Sequence, residues 1–115
     1  MPQMILEYST GVSLDIPVTL QALNGVLADT GLFSVGDIKT RAVQREHWLT
    51  GVEPGKAPFV HLQLYILSGR ELSVRQQLSA QLLETLPHYI TGPAGTQLCV
   101  EIRQIERESY RKLIL

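Results

Sequence analysis

Four residues are suited to moving a proton beside an anion: Pro2, Lys39, Arg41 and Arg70. Pro2 follows Met1 directly in MPQMILEYS, a context in which methionine aminopeptidases remove the methionine. Its nitrogen then becomes a secondary amine. A free α-amino group ionises at about 7.7–8.0 in the reference state, and burial beside cations moves it lower. Such an amine is substantially unprotonated at neutral pH, as a general base must be. Lys39 and Arg41 lie two apart in DIKTRAVQREHW and project from one face of a regular strand. Either can meet an anion or an enolate oxygen. Arg70, in SGREL, precedes a helix whose first N–H groups also favour anions. Taken singly, each residue has a plainer reading: an inert proline, an exposed strand face, a solvated turn arginine.

Other chemistries find little support. His47, His61 and His88 are far apart, and none shares a metal-binding spacing with Cys99 or an acidic residue, so no metal is expected. Cys99 lies between Leu98 and Val100, where a packing role is expected rather than a reactive one. Nucleophile elbow, phosphate loop and dinucleotide fingerprint are all missing. Trp48 suits either an apolar pocket wall or a core or interface position. With a net charge of −1, neither nucleic acid nor a membrane surface is an expected partner. One cysteine allows no internal disulfide, no basic-then-apolar leader precedes the first strand, and no apolar run nears the roughly 18 residues of a membrane span. A cytoplasmic protein is expected.

The elements that must position these residues form a pattern. MILEYS reads as a strand. Asp15 is a candidate N-cap with Pro17 in the first turn, followed by Ile16, Leu20, Leu23 and Leu27 at helical spacing, widened by Ala22 and Val26. Thr30-Gly31 closes that helix. DIKTRAVQREHW is strand-like, and GVEPGKAP is the strongest break in the chain. FVHLQLYIL then alternates, with Val60, Leu62, Leu64 and Ile66 on one face. Ser73 and Gln76 match a capping box, Glu71 and Arg75 a surface pair. Val74, Leu78, Leu82, Leu86 and Ile90, with Leu83, make an apolar ladder. QLCVEIRQI is a last strand with Leu98, Val100 and Ile102 on one face, and the tail ESYRKLIL ends apolar.

The order is β-α-β-β-α-β, an α/β (α+β) arrangement in 115 residues, the size of one domain. Aligning MPQMILEYS with APFVHLQLY sets Pro58 opposite Pro2, so the chain divides into two βαβ units, about 1–57 and 58–115. Each unit should hold parallel strands with a right-handed crossover, giving a four-stranded sheet with two helices on one face. The strands carry apolar residues on both faces, so the uncovered face is either solvated or buried by other subunits; with the apolar LIL ending as a further contact, an oligomer is expected. Element order alone does not separate an enzyme from a ferredoxin-like module that binds a metabolite.

Pro2 before a strand, IKTR, FVHLQLYILSGR and the helix RQQLSAQLLETL together resemble the 5-carboxymethyl-2-hydroxymuconate isomerase family of the tautomerase superfamily. The second half is also similar to the short 4-oxalocrotonate tautomerase unit. The resemblance spans nearly the whole chain and implies a tautomerase fold and a homotrimer with sheets facing inward. It further implies cofactor-free keto–enol tautomerisation of a 2-hydroxymuconate-type dienol, 5-carboxymethyl-2-hydroxymuconate first, in the catabolism of homoprotocatechuate-type aromatic compounds. By that likeness Pro2 is the base and Arg70 a carboxylate or enolate partner. The family has arginine where Lys39 stands, while Arg41 keeps its arginine. Either Arg41 carries the second contact or the substrate is gripped differently. Another 2-hydroxydienoate or a phenylpyruvate-like compound remains an alternative substrate. Pro58, locked in a peptide bond, cannot act as a base, which leaves one active proline per chain.

Overall fold

The computed structural model describes residues Met1–Leu115. Its main elements are β1 (Gln3–Ser9), β2 (Ser13–Leu14), α1 (Ile16–Asp29), β3 (Lys39–Arg45), β4 (Phe59–Leu67), α2 (Leu72–Thr85), β5 (Ile90–Thr91) and β6 (Gln97–Ile105). Single 3₁₀ turns occupy Val35–Asp37, Leu86–His88 and Arg107–Ser109.

Helix α1 begins as its sequence dictates. The Asp15 carboxylate accepts a hydrogen bond from the Val18 N–H at 3.2 Å, and Pro17 sits in the first turn, where a missing N–H leaves nothing unsatisfied. Its buried row is Thr19, Leu23 and Leu27, whereas Ile16 is 38% exposed. A threonine can displace the isoleucine from the core because its hydroxyl donates to the Asp15 carbonyl at 2.7 Å.

Helix α2 departs from expectation at both ends. It starts at Leu72 with Glu71 as N-cap, so Ser73 lies inside the first turn and forms no capping box. Arg75 does not pair with Glu71; its Nε donates back to the Arg70 carbonyl at 3.3 Å. Leu78, Leu82 and Leu86 are buried as a ladder, but Leu83 points outward. Pro87, which cannot extend the helical hydrogen-bond ladder, lies in the 3₁₀ turn that follows. Ile90 therefore reaches the core from strand β5 rather than from the helix.

The main sheet has the order β3-β1-β4-β6. Strands β1 and β3 run parallel, β1 and β4 antiparallel, and β4 and β6 parallel. The two βαβ units repeat even in detail: the Pro2 carbonyl accepts from Lys39 N–H and the Pro58 carbonyl from Gln97 N–H, both at 3.1 Å. Met4, Leu6 and Tyr8 of β1 and Val60, Leu62, Leu64 and Ile66 of β4 alternate into a core closed by both helices. Leu98, Val100 and Ile102 pack against its edge. Strands β2 and β5, too short to show a sequence period, pair antiparallel and tie the approach to α1 to the exit from α2.

The opposite sheet face carries, beside apolar residues such as Ile5 and Val43, a hydrogen-bonded polar network. Arg45 pairs with Glu7, Tyr65 donates to Gln63, Gln63 meets His61, His61 pairs with Glu101, and Glu101 takes a second bond from Arg103. Cys99 is exposed on this face rather than packed, because Leu98 and Val100 take the inward positions of the alternation. The terminal Leu113, Ile114 and Leu115 are exposed.

Candidate active site

Strand directions decide which residues can meet. Because β1 and β3 are parallel and β4 opposes them, the starts of β1 and β3 lie at the same end of the sheet as the ends of β4 and β6. Pro2, Lys39, Arg70 and the segment after Ile105 therefore converge there from four strands. Pro2 is buried, its carbonyl bound to the Lys39 N–H. Lys39 turns its ammonium back to the Asp37 carbonyl at 3.0 Å.

Arg70 is held by a turn that needs glycine. Gly69 has φ +114°, a conformation other residues rarely adopt. From this turn Arg70 donates to the Leu32 carbonyl at 3.0 Å and lies over the Phe33 ring at 4.8 Å. Two further cations come from the tail, where the sequence reading noted only the apolar ending. Arg107 donates through Nε and Nη2 to the Ser68 carbonyl at 3.2 and 3.0 Å, and Lys112 forms an ion pair with Asp37. The signal in the sequence was a tail with basic residues following a strand parallel to the one that ends in SGR.

The electrostatics follow from this gathering. With Met1 in place the free amine belongs to Met1, and the Pro2 nitrogen is an amide. That amine is held below its ordinary value of 8.0, first by burial, then by Arg70, Lys39 and Arg107, with Asp37 pulling the other way. Asp37 is itself held below the usual carboxylate value of 3.8, chiefly by its hydrogen bond from Lys112. These surroundings weaken proton binding to an amine here, and the cations around it suit an anionic ligand.

Arg41 is not part of this gathering within one chain. It stands two residues along β3 on the polar sheet face and donates to the Gln3 side-chain carbonyl at 2.6 Å. Trp48 is at the far end of the sheet, donating to Thr10 Oγ1 at 2.8 Å and meeting Phe59 edge-on, so it walls no pocket around Pro2. A groove of about 710 Å³ also lies elsewhere, between α1 and α2 beside Gly25, Val26, Glu84 and His88.

The model of the 5-carboxymethyl-2-hydroxymuconate isomerase family matches residues 2–113. The chain belongs to that family. It is 29% identical over 108 residues to the 5-carboxymethyl-2-hydroxymuconate Delta-isomerase of Escherichia coli, covering 92% of this chain and 86% of the relative. The crystal structure of a 5-carboxymethyl-2-hydroxymuconate isomerase from Deinococcus radiodurans R1 superposes with a TM-score of 0.81 at 31% identity. That match covers 97% of this chain and 88% of the other. A fused 4-OT described as a symmetric trimer gives a TM-score of 0.73 at 13% identity, covering 91% and 86% of the two chains, a likeness of fold alone. The protein is thus an isomerase of the 5-carboxymethyl-2-hydroxymuconate isomerase type, and it shares its two-helix, four-stranded fold with the fused 4-OT.

Proposed function

We propose that this isomerase ketonises 5-carboxymethyl-2-hydroxymuconate, with the amine of Pro2 as general base once Met1 is removed. The observation that carries this reading is the lowered proton affinity of an amine at this strand end, amid Arg70, Lys39 and Arg107. Removal of Met1 turns the buried Pro2 nitrogen into a secondary amine among the same charges. The neutral amine takes the proton from the 2-hydroxyl of the dienol. Electrons move along the conjugated chain as the 2-oxo group forms, and the proton returns at the distant carbon to give the 2-oxo-3-ene acid. Nothing is oxidised or reduced, and no cofactor is required.

Arg70 and Lys39 bind substrate carboxylates. Lysine supplies a point charge where a guanidinium would offer a planar fork, so Arg70 sets the orientation. Arg41 acts from the sheet face of a neighbouring subunit in a homotrimer whose polar faces turn inward. The hydrogen-bonded polar face supports that assembly, since its side chains already have partners when water is withdrawn.

Ultraviolet-monitored ketonisation by protein whose mass confirms loss of Met1 tests the reading. Turnover well above the spontaneous rate is expected. A rate equal to the spontaneous one excludes this substrate and directs the search to other 2-hydroxydienoates.

A further inference from the structure

The segment after β6 does not trail away from the molecule. It leaves the β6 edge of the sheet at Ile105, is pinned to the end of β4 by the Arg107–Ser68 bonds, and reaches the β3 edge through the Lys112–Asp37 pair. Since β1 lies between β4 and β3, residues 106–112 span the end of the sheet at which Pro2 sits. The segment straps the site.

Arg107 occupies a defined place on this strap. Both of its bonds go to one carbonyl, that of Ser68, which leaves the remaining donors of its five N–H groups unused. Its Nη2 is also close to the Gly69 backbone: a Cβ built on Gly69 would lie 3.9 Å from it. Arg70 follows that glycine directly and is fixed by Leu32 and Phe33. The two guanidiniums thus flank one tight turn, each anchored to a backbone carbonyl. The Arg107 side chain is exposed, so its free donors are open to a ligand. Of the carboxylates nearby, Asp37 is paired with Lys112 on the same strap and Glu106 accepts from the Ser109 hydroxyl at 2.7 Å, while Glu108 is exposed beside Arg107.

The geometry points to Arg107 as a specificity-determining residue that binds a third carboxylate of the substrate, beyond the two held by Arg70 and Lys39. This inference rests on the tautomerase reading proposed above and goes beyond it: the C-terminal strap selects tricarboxylic over dicarboxylic dienols. Charge-assisted hydrogen bonds from a guanidinium to a carboxylate are among the stronger polar contacts, which gives the selection a measurable size.

The test compares wild-type protein with Arg107→Ala and Arg107→Lys on 5-carboxymethyl-2-hydroxymuconate, which has three carboxylates, and 2-hydroxymuconate, which has two. Arg107→Ala is expected to raise KM for the triacid about tenfold or more relative to KM for the diacid, while the loss of its charge beside the amine shifts the pH dependence of kcat alike on both substrates. Arg107→Lys recovers part of the loss. Equal changes in KM on both substrates would mean that Arg107 only braces the Ser68 turn, and no change in KM would mean that it binds nothing; either overturns the inference. Titration with unreactive tricarballylate and glutarate by calorimetry separates this outcome from failure of the catalytic reading. Even if wild-type protein turns over neither dienol, Arg107→Ala must weaken tricarballylate selectively, and a loss shared by glutarate, or no loss, contradicts the role.

Discussion

At the scale of residues, the behaviour of this site depends on a balance of charges around one amine. Burial, Arg70, Lys39 and Arg107 favour the neutral base, while Asp37 favours its protonated form. With the neutral amine of Pro2 proposed as the base, kcat/KM should rise with pH through the titration of that amine, in surroundings that lower the proton affinity of the Met1 amine. Asp37→Asn removes the one opposing charge and should move this basic limb to lower pH in a pH–rate profile; an unmoved limb would remove Asp37 from the electrostatics of the base. That Pro2, Lys39 and Arg70 stand at element boundaries could be read in the sequence, because each boundary carries its own motif, and the strand directions bring these boundaries to one end of the sheet. The places of Arg107 and Lys112 could not, since only the parallel pairing of β4 with β6 brings a tail residue back to the SGR turn.

At the scale of elements, helix α1 could be read from its cap, because an aspartate ahead of a first-turn proline leaves few alternatives. The start of α2 could not. Its N-cap Glu71 makes no side-chain bond, and Ser73 offered a better local signal two residues too late. The buried i+4 row Leu78, Leu82, Leu86 nevertheless fixes how α2 lies on the sheet. Leu82 is fully buried, so Leu82→Ala should cost about 2–5 kcal/mol in chemical denaturation. The exposed Leu83→Ala should change stability far less. A reversed order would mean that the helix presents its other face to the sheet. Strands β2 and β5 lay beyond sequence reading, since two residues show no period.

At the scale of the whole molecule, the repeat was visible in the sequence as two prolines in register, and it reappears as matched Pro2–Lys39 and Pro58–Gln97 hydrogen bonds. The sequence shows apolar residues on both sheet faces, but not the polar network that links the side chains of the uncovered one. Strand alternation predicts which positions face outward, but the cross-strand partners that satisfy them, such as His61 with Glu101 and Arg45 with Glu7, depend on register. A homotrimer built on this face should sediment at three times the 12.8 kDa chain mass. Glu101→Lys, which sets like charge against Arg103, should shift it toward monomer. A wild-type monomer that retains full activity would exclude a catalytic contribution from a neighbour's Arg41.

The central claim, that the base is the amine of Pro2, is tested most directly by assaying one preparation before and after enzymatic removal of Met1, with the processed fraction read by mass. Ketonisation activity should rise in proportion to the fraction of chains that begin at Pro2. Equal activity in chains that keep Met1 would contradict the claim, because there the Pro2 nitrogen is an amide with no basic lone pair.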